Sequence, residues 1–288
     1  MLHMSGHKLV NYLNLGCGSR YLDGWTNLDI APVSPHVQAC DLLSGIPFPD
    51  NTFEFVYHSH LLEHIPRSRV ADIMKESCRV LKPGCFIRVV VPDLESIARL
   101  YLQYLDESLQ GSEIGQDRYD WMLLELYDQT VRNRSGGEMS VFLQQDPMPD
   151  NSFIFQRLGG EAKKILEARE TALITARWQY FLAPKNWVSK ARALVKSGRD
   201  RLYCLILGQR DYQALLAGRF RQSGEIHQWR YDKYSLSRVL LQAGFQNPTR
   251  QTAVSSMFPE WGKHNLDIEP DGTVYKPDSL YMEAVKPA

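Results

Sequence analysis

Two absences speak to where this chain works. No apolar stretch reaches the roughly 18 residues needed to span a bilayer, and the opening MLHMSGHKLV has no apolar core of the secretory-leader kind. The expectation is a cytoplasmic protein. Cysteine is sparse: Cys17, Cys40, Cys78, Cys85 and Cys204 are odd in number, scattered and free of any C-x-x-C pair. That pattern argues against a disulfide framework or a structural zinc and for free thiols. Net charge is missing as well, since 33 basic residues offset 33 acidic ones, so global charge selects no class of partner. Internal repeats and low-complexity tracts are also lacking.

What is there suits an ordinary soluble fold, with 44% hydrophobic and 23% charged residues. A length of 288 residues exceeds the common size of one domain and implies a core carrying a large insertion or a small second domain. The first ninety residues alternate short apolar runs with turn signals, the pattern of a parallel sheet. Strands are predicted at Val10 to Leu15, Trp25 to Ile30, Val37 to Cys40, Phe53 to Tyr57 and Phe86 to Val91. Between the last two, Val70, Ile73, Met74, Ser77, Cys78 and Leu81 recur at helical spacing, with Lys82-Pro83-Gly84 as the predicted stop. Far downstream, Tyr231 to Phe245 reads as a helix ended by Gly244, and Ser279 to Val285 as a strand.

From about Asp93 to Gln228 the pattern is helical, as in Ile97, Leu100, Tyr101, Tyr104 and Leu105. The division expected is a core made of residues 1–93 and 229–288, with a mostly helical insertion over 94–228. In open α/β sheets ligands bind at the carboxyl ends of the strands, so an insertion launched after strand five covers the active site as a lid or recognition element.

The strongest local signal is Leu13-Asn14-Leu15-Gly16-Cys17-Gly18-Ser19, a strand running into a Gly-x-Gly turn that lets a ligand approach the backbone. Asp29 closes the second strand, where a carboxylate can accept both hydroxyl hydrogens of a ribose. Asp41 follows the third strand, and then come IPFPDNTFEFVYHSHLLEHIP and RVLKPGCFIRVVVPDL. In order and spacing these strings resemble the class I S-adenosylmethionine-dependent methyltransferases, specifically the small-molecule branch with LPFPD, FD-x-V, LEH and LKPGG. The resemblance covers about residues 10 to 93, and the tail from Trp229 to Lys286 is similar to the closing elements of that fold.

It implies a Rossmann-like α/β sheet and S-adenosylmethionine as cofactor. Asn14, Gly16, Cys17 and Gly18 would then meet the methionine part, Asp29 with Ile30 the ribose, and Asp41 with Leu42 the adenine. His58 and Ser59 would border the methionine end. The chain departs from the family where Asn14 replaces an acid, Arg20 a third glycine, and Cys85 the second glycine of LKPGG. Only nine residues, Gly16 to Gly24, link the first two strands, so the first helix is expected to shrink to a turn. The same short link disfavours a nicotinamide enzyme, whose fingerprint needs a full helix and an acid about 20 residues on.

Methyl transfer from a sulfonium is a direct displacement, and a base is needed only for a protonated nucleophile. His58, His60, His64 and Asp93 qualify by position, and His60 and Asp93 are the catalytic candidates. Asp128, Arg132 and His227 are polar residues set among aromatics, and together with Trp229 and Tyr231 they form the candidate acceptor site. His58-Ser59-His60 reads as a polar loop, and no metal is expected. Arg177 to Arg221 holds ten Lys or Arg against two Asp, interleaved with Trp178, Tyr180, Phe181, Trp187 and Tyr203. This segment suits an anionic membrane surface or a phosphate-bearing substrate, and solvated helical faces are the plainer alternative.

The expected substrate is a small polar metabolite, glycan or nucleotide sugar methylated on oxygen. RNA or protein methylation and a non-catalytic cofactor-binding scaffold are the alternatives. No Asn-Pro-Pro-Tyr, Asp-Pro-Pro-Tyr or Pro-Cys string occurs, so DNA is not an expected partner.

Overall fold

The computed structural model describes residues 11–145, 150–161, 187–259 and 261–288, with the helical residues 151 and 187–197 described by backbone alone. The apolar runs form β1 (Tyr12–Leu15), β2 (Thr26–Asp29), β3 (Val37–Ala39), β4 (Phe53–Ser59) and β5 (Leu81–Pro92). Late in the chain come β6 (Gln246–Gln251) and β7 (Ser279–Val285). They build one sheet in the order β3-β2-β1-β4-β5-β7-β6. The first five strands run parallel, and β7 lies antiparallel between β5 and β6. This is a Rossmann-like α/β sheet of the expected class.

Two local outcomes differ from expectation. Helix α1 (Arg67–Val80) stops at Val80, and Lys82-Pro83-Gly84 belongs to β5. Pro83 forces its predecessor out of the helical region, and the helix's last carbonyls, on Arg79 and Val80, accept instead from the amides of Asn51 and Thr52. Strand β6 has the polar sequence QNPTRQ, which carries no strand signal. It forms at the sheet edge, where proline is tolerated, and the register shifts between Gln246 and Thr249, the interval holding Pro248.

One face of the sheet packs Leu13, Leu15, Leu28, Val56, Val89 and Met282 against α1 and α7 (Lys233–Gln242). On the other face, Phe55, Tyr57, Val90 and Tyr281 meet Trp261, Leu266 and Phe258 of the loop between β6 and β7. Within that layer Arg88 is fully buried, 2.7 Å from both Asp267 and Glu283 and within reach of the Trp261 and Tyr281 rings. The link between β1 and β2 holds only turns.

After β5 the chain enters α2 (Leu94–Leu109), α3 (Glu113–Val131), α4 (Gly137–Leu143), α5 (Asn151–Leu158) and α6 (Trp187–Arg221), the last kinked at Gly208. Asp93, Ser112 and Asp150 cap the starts of α2, α3 and α5 through their side chains. These helices bury a cluster of their own around Ile97, Tyr104, Trp121, Met122 and Phe153. The ends of the excursion meet again, because Leu94 N donates to Tyr231 O at 2.9 Å. No helix among the described residues is long and apolar enough to cross a membrane.

Candidate active site

The strand order reverses between β1 and β4, and such a switch point opens a crevice at the carboxyl ends of the strands. At this crevice Asn14, Gly16 to Arg20, Tyr57, Ser59 and His60 line a cleft of about 190 Å³, with Tyr275 and Lys276 as a partial roof. Gly16 and Gly18 have φ of 60° and 51°, the left-handed region that glycine enters freely. A Cβ on Gly16 would come within 2.8 Å of Leu61, whereas one on Gly18 would meet nothing within 4 Å. The first glycine serves close packing, and the second leaves room for a ligand.

Arg20 holds the roof in place. Its guanidinium donates to the carbonyls of Asn265, Leu266 and Ile268, pairs with Glu269 at 3.0 Å, and sits 4.0 Å from the centre of the Tyr275 ring. Asn14 lies beneath it. Its Nδ2 donates to Arg20 O at 2.9 Å and to Asn27 Oδ1 at 3.3 Å, while its buried Oδ1 has no hydrogen-bond partner. Asp29 accepts from Gly18 N through one oxygen and from Ala31 N through the other, both at 2.8 Å. A carboxylate has about four acceptor positions, so one on each oxygen is still open. Cys17 is buried, and burial pushes its thiol up to about 11, which makes it inert.

Ile30 and Asp41 are exposed and Leu42 is buried, at the ends of β2 and β3 and outside the lining of the cleft. Asp41 also caps the short turn Leu42–Ser44 by accepting from Leu43 N. Ser59 lines the cleft, but His58 is corrected. Alternation along β4 turns it to the face opposite Tyr57 and Ser59, where it is buried with neither ring nitrogen hydrogen-bonded. Burial lowers its pKa to about 4.

His60 stands on the cleft in a left-handed conformation with φ of 52°. Its Nε2 is 2.9 Å from Ser279 Oγ and its Nδ1 is 3.0 Å from Glu63 Oε1. Glu63 is wholly buried. Burial opposes its charge, but the His60 ring 3.0 Å away outweighs that and holds the carboxyl well below its usual range.

Asp93 is corrected too. It lies outside the cleft, its oxygens accept from Glu95 N and Ser96 N at the start of α2, and Arg250 pairs with it at 2.8 Å. Asp128 likewise accepts from Glu138 N at the start of α4, so it braces the fold rather than facing an acceptor. Arg132 pairs with Glu225 at 3.5 Å, and Trp229 stacks under Arg67. His227 and Tyr231 are buried beside Glu63 and His64, with His227 Nδ1 and the Tyr231 hydroxyl unpartnered.

The structure adds Glu63, Tyr275, Lys276 and Ser279 to the site. Glu63 could have been singled out from the LLEHIP string. The other three come from more than 200 residues downstream and carried no local signal.

Residues 13–89 match the family described as "Methyltransferase domain". Over those residues the chain is similar to a methyltransferase domain. Among solved structures it is similar to the [4+2]-cyclase SpnF, with 23% identity, TM-score 0.24, and 28% of this chain and 38% of that one covered. A methyltransferase from Archaeoglobus fulgidus is 12% identical, with TM-score 0.37 and coverage of 96% and 86%. One from Mesorhizobium loti is 18% identical, with TM-score 0.23 and coverage of 29% and 47%. The matched region thus spans less than half the length of SpnF and of the Mesorhizobium loti protein. No curated protein matches the chain.

The methyltransferase domain implies S-adenosylmethionine, and the residues present fit that group. The unpartnered Asn14 Oδ1 offers an acceptor for an ammonium, the space above Gly18 admits a ligand against bare backbone, and Asp29 has acceptor positions open for ribose hydroxyls.

Proposed function

We propose that the chain is an S-adenosylmethionine-dependent methyltransferase acting on a hydroxyl of a small polar acceptor of the glycan or nucleotide-sugar class. The reading is carried by the place of His60, which stands on the cofactor cleft while its ring is held by Glu63 and Ser279. The cofactor supplies an electrophilic methyl group on a positively charged sulfur. The protein's own work is alignment and exclusion of water. Asn14 and the Gly16 to Gly18 backbone hold the methionine end, Arg20 keeps the roof down, and His60 orients the acceptor hydroxyl and takes its proton.

The insertion supports a polar acceptor. Its return segment carries His227 and Tyr231, both buried near Glu63 with a polar atom unsatisfied. Helix α6 adds exposed Leu202, Leu205 and Ile206 beside Arg199, Arg201 and Arg210, a surface suited to a phosphate-bearing acceptor or an anionic membrane. Part of the basic stretch, residues 177–186 with Trp178, Tyr180 and Phe181, lies outside the described residues.

The test is a panel of hydroxylated metabolites, nucleotide sugars and glycans incubated with the cofactor, with release of its demethylated form measured by mass spectrometry. Turnover on a hydroxyl acceptor is expected, with His60→Ala lowering kcat about 10²- to 10⁴-fold and leaving cofactor affinity unchanged. Transfer to RNA or protein alone would overturn the acceptor class. Absence of cofactor heat in calorimetry would overturn the enzyme.

A further inference from the structure

Glu63, His64 and His227 each present a donor atom within 4.8 Å of the other two. We infer that this cluster binds one divalent transition-metal ion of the zinc class. Glu63 and His64 sit on the single turn Leu62–His64 after β4, and His227 sits on the segment where the insertion rejoins the core. The two pieces are pinned by their backbones, since Gln228 N donates to Glu63 O at 2.5 Å and His227 N donates to Gln129 O at 3.0 Å. The ligand positions are therefore set by main-chain bonds.

The donor chemistry fits. A carbonyl can only accept, so the 3.3 Å contact from His64 Nδ1 to Ile226 O fixes the proton on Nδ1 and leaves the lone pair on Nε2. Metal-binding histidines carry this kind of outer partner. The His64 and His227 rings meet edge to face, with centroids 4.7 Å apart.

The decisive observation is what these groups lack. Glu63 has no solvent exposure, its Oε1 has the His60 nitrogen at 3.0 Å as its close neighbour, and its Oε2 has no hydrogen-bond partner. His227 is 5% exposed and its Nδ1 has no partner. A buried carboxylate with an oxygen left unbonded is costly unless a cation is close. A divalent ion would supply that charge and take up the idle donors. Two imidazoles and one carboxylate match sites for zinc and neighbouring metals, which hold further positions open. Bonds of about 2.0 to 2.2 Å need these side chains to close inward by about an ångström, a rotamer-scale shift. The ion would lie behind His60, with Glu63 touching the ring through one oxygen and the ion through the other.

The test uses the full chain after chelator treatment and dialysis. Isothermal titration with Zn²⁺ and absorption spectra with Co²⁺ are expected to show one equivalent bound and the visible bands of four- or five-coordinate cobalt. Glu63→Gln and His64→Gln should weaken binding at least tenfold, while His36→Ala, at an exposed ring beside Asp23, should change nothing. Zn²⁺ should raise the melting temperature of the parent but not of the variants. Binding that survives in both variants, or no stoichiometric binding in the parent, would overturn the proposal. If either variant misfolds by circular dichroism, His227→Asn replaces it with the same expectations. These readouts need no acceptor, so they stand or fall apart from the methyltransferase reading.

Discussion

Single residues in this protein are explained by what their neighbours leave them to do. Asn14 stands where the family places an acid, and the structure supplies a reason. Its amide nitrogen donates to Arg20 O and Asn27 Oδ1, and Asn27 cannot turn its own amide around, because its Nδ2 is already bonded to Leu22 O and Trp25 O. Asn14→Asp would aim an anion at two acceptors. The variant is expected to lose about 1 to 3 kcal/mol in urea unfolding, and undiminished stability would show that the amide matters only to the ligand.

His58 makes a second prediction at this scale. Burial depresses its folded pKa to about 4 from an ordinary 6.5. The unfolded chain therefore takes up a proton near pH 6.5 that the folded chain refuses until about pH 4. The stability tied to the neutral ring is intact above pH 6.5 and falls away between those values, by something on the order of 3 kcal/mol. His64 and His227 shift in the same direction. Urea unfolding from pH 7 to pH 4.5 should show a steep loss for the parent and a shallower one for His58→Gln.

At the scale of elements, the roof over the cleft is the feature that matters. The Gly-rich turn and the loop before β7 are about 250 residues apart in sequence, and Arg20 joins them by four polar contacts and a ring. Arg20→Ala should free residues 264–277, visible as faster amide hydrogen exchange there, and should weaken cofactor binding severalfold. Exchange unchanged in that loop would mean that its own packing through Trp261 and Leu266 holds it. The same loop packs on the sheet face that the shortened β1 to β2 link leaves without a helix.

For the molecule as a whole, the exposed apolar and basic residues of α6 set the test. Leu205 and Ile206 of α6 are 83% and 69% exposed, between Arg201 and Arg210 in the sequence. Co-sedimentation with phosphatidylserine vesicles at low salt is expected for the parent and lost in the double variant Leu205→Asp, Ile206→Asp. Equal sedimentation with neutral vesicles would remove the electrostatic part of that reading.

What the sequence determined by itself was whatever is local. Runs such as FEFVY and FIRVVV, the Gly-x-Gly turn, and the 3.6-residue period of α1 and α2 each act within a few residues, so strands, helices and the β1 end of the cleft were legible. The polar edge strand β6 was not, because its hydrogen bonds come from β7 and not from its own side chains. Asp93, Asp128 and His58 had suitable chemistry, but tertiary structure assigned two of them to helix caps and turned the third to the far face. Tyr275, Lys276, Ser279 and the joining of His227 to Glu63 were decided only when the sheet closed. Long-range pairing leaves no periodic mark in the sequence, and these contacts exist only because folding brings distant segments to one strand end.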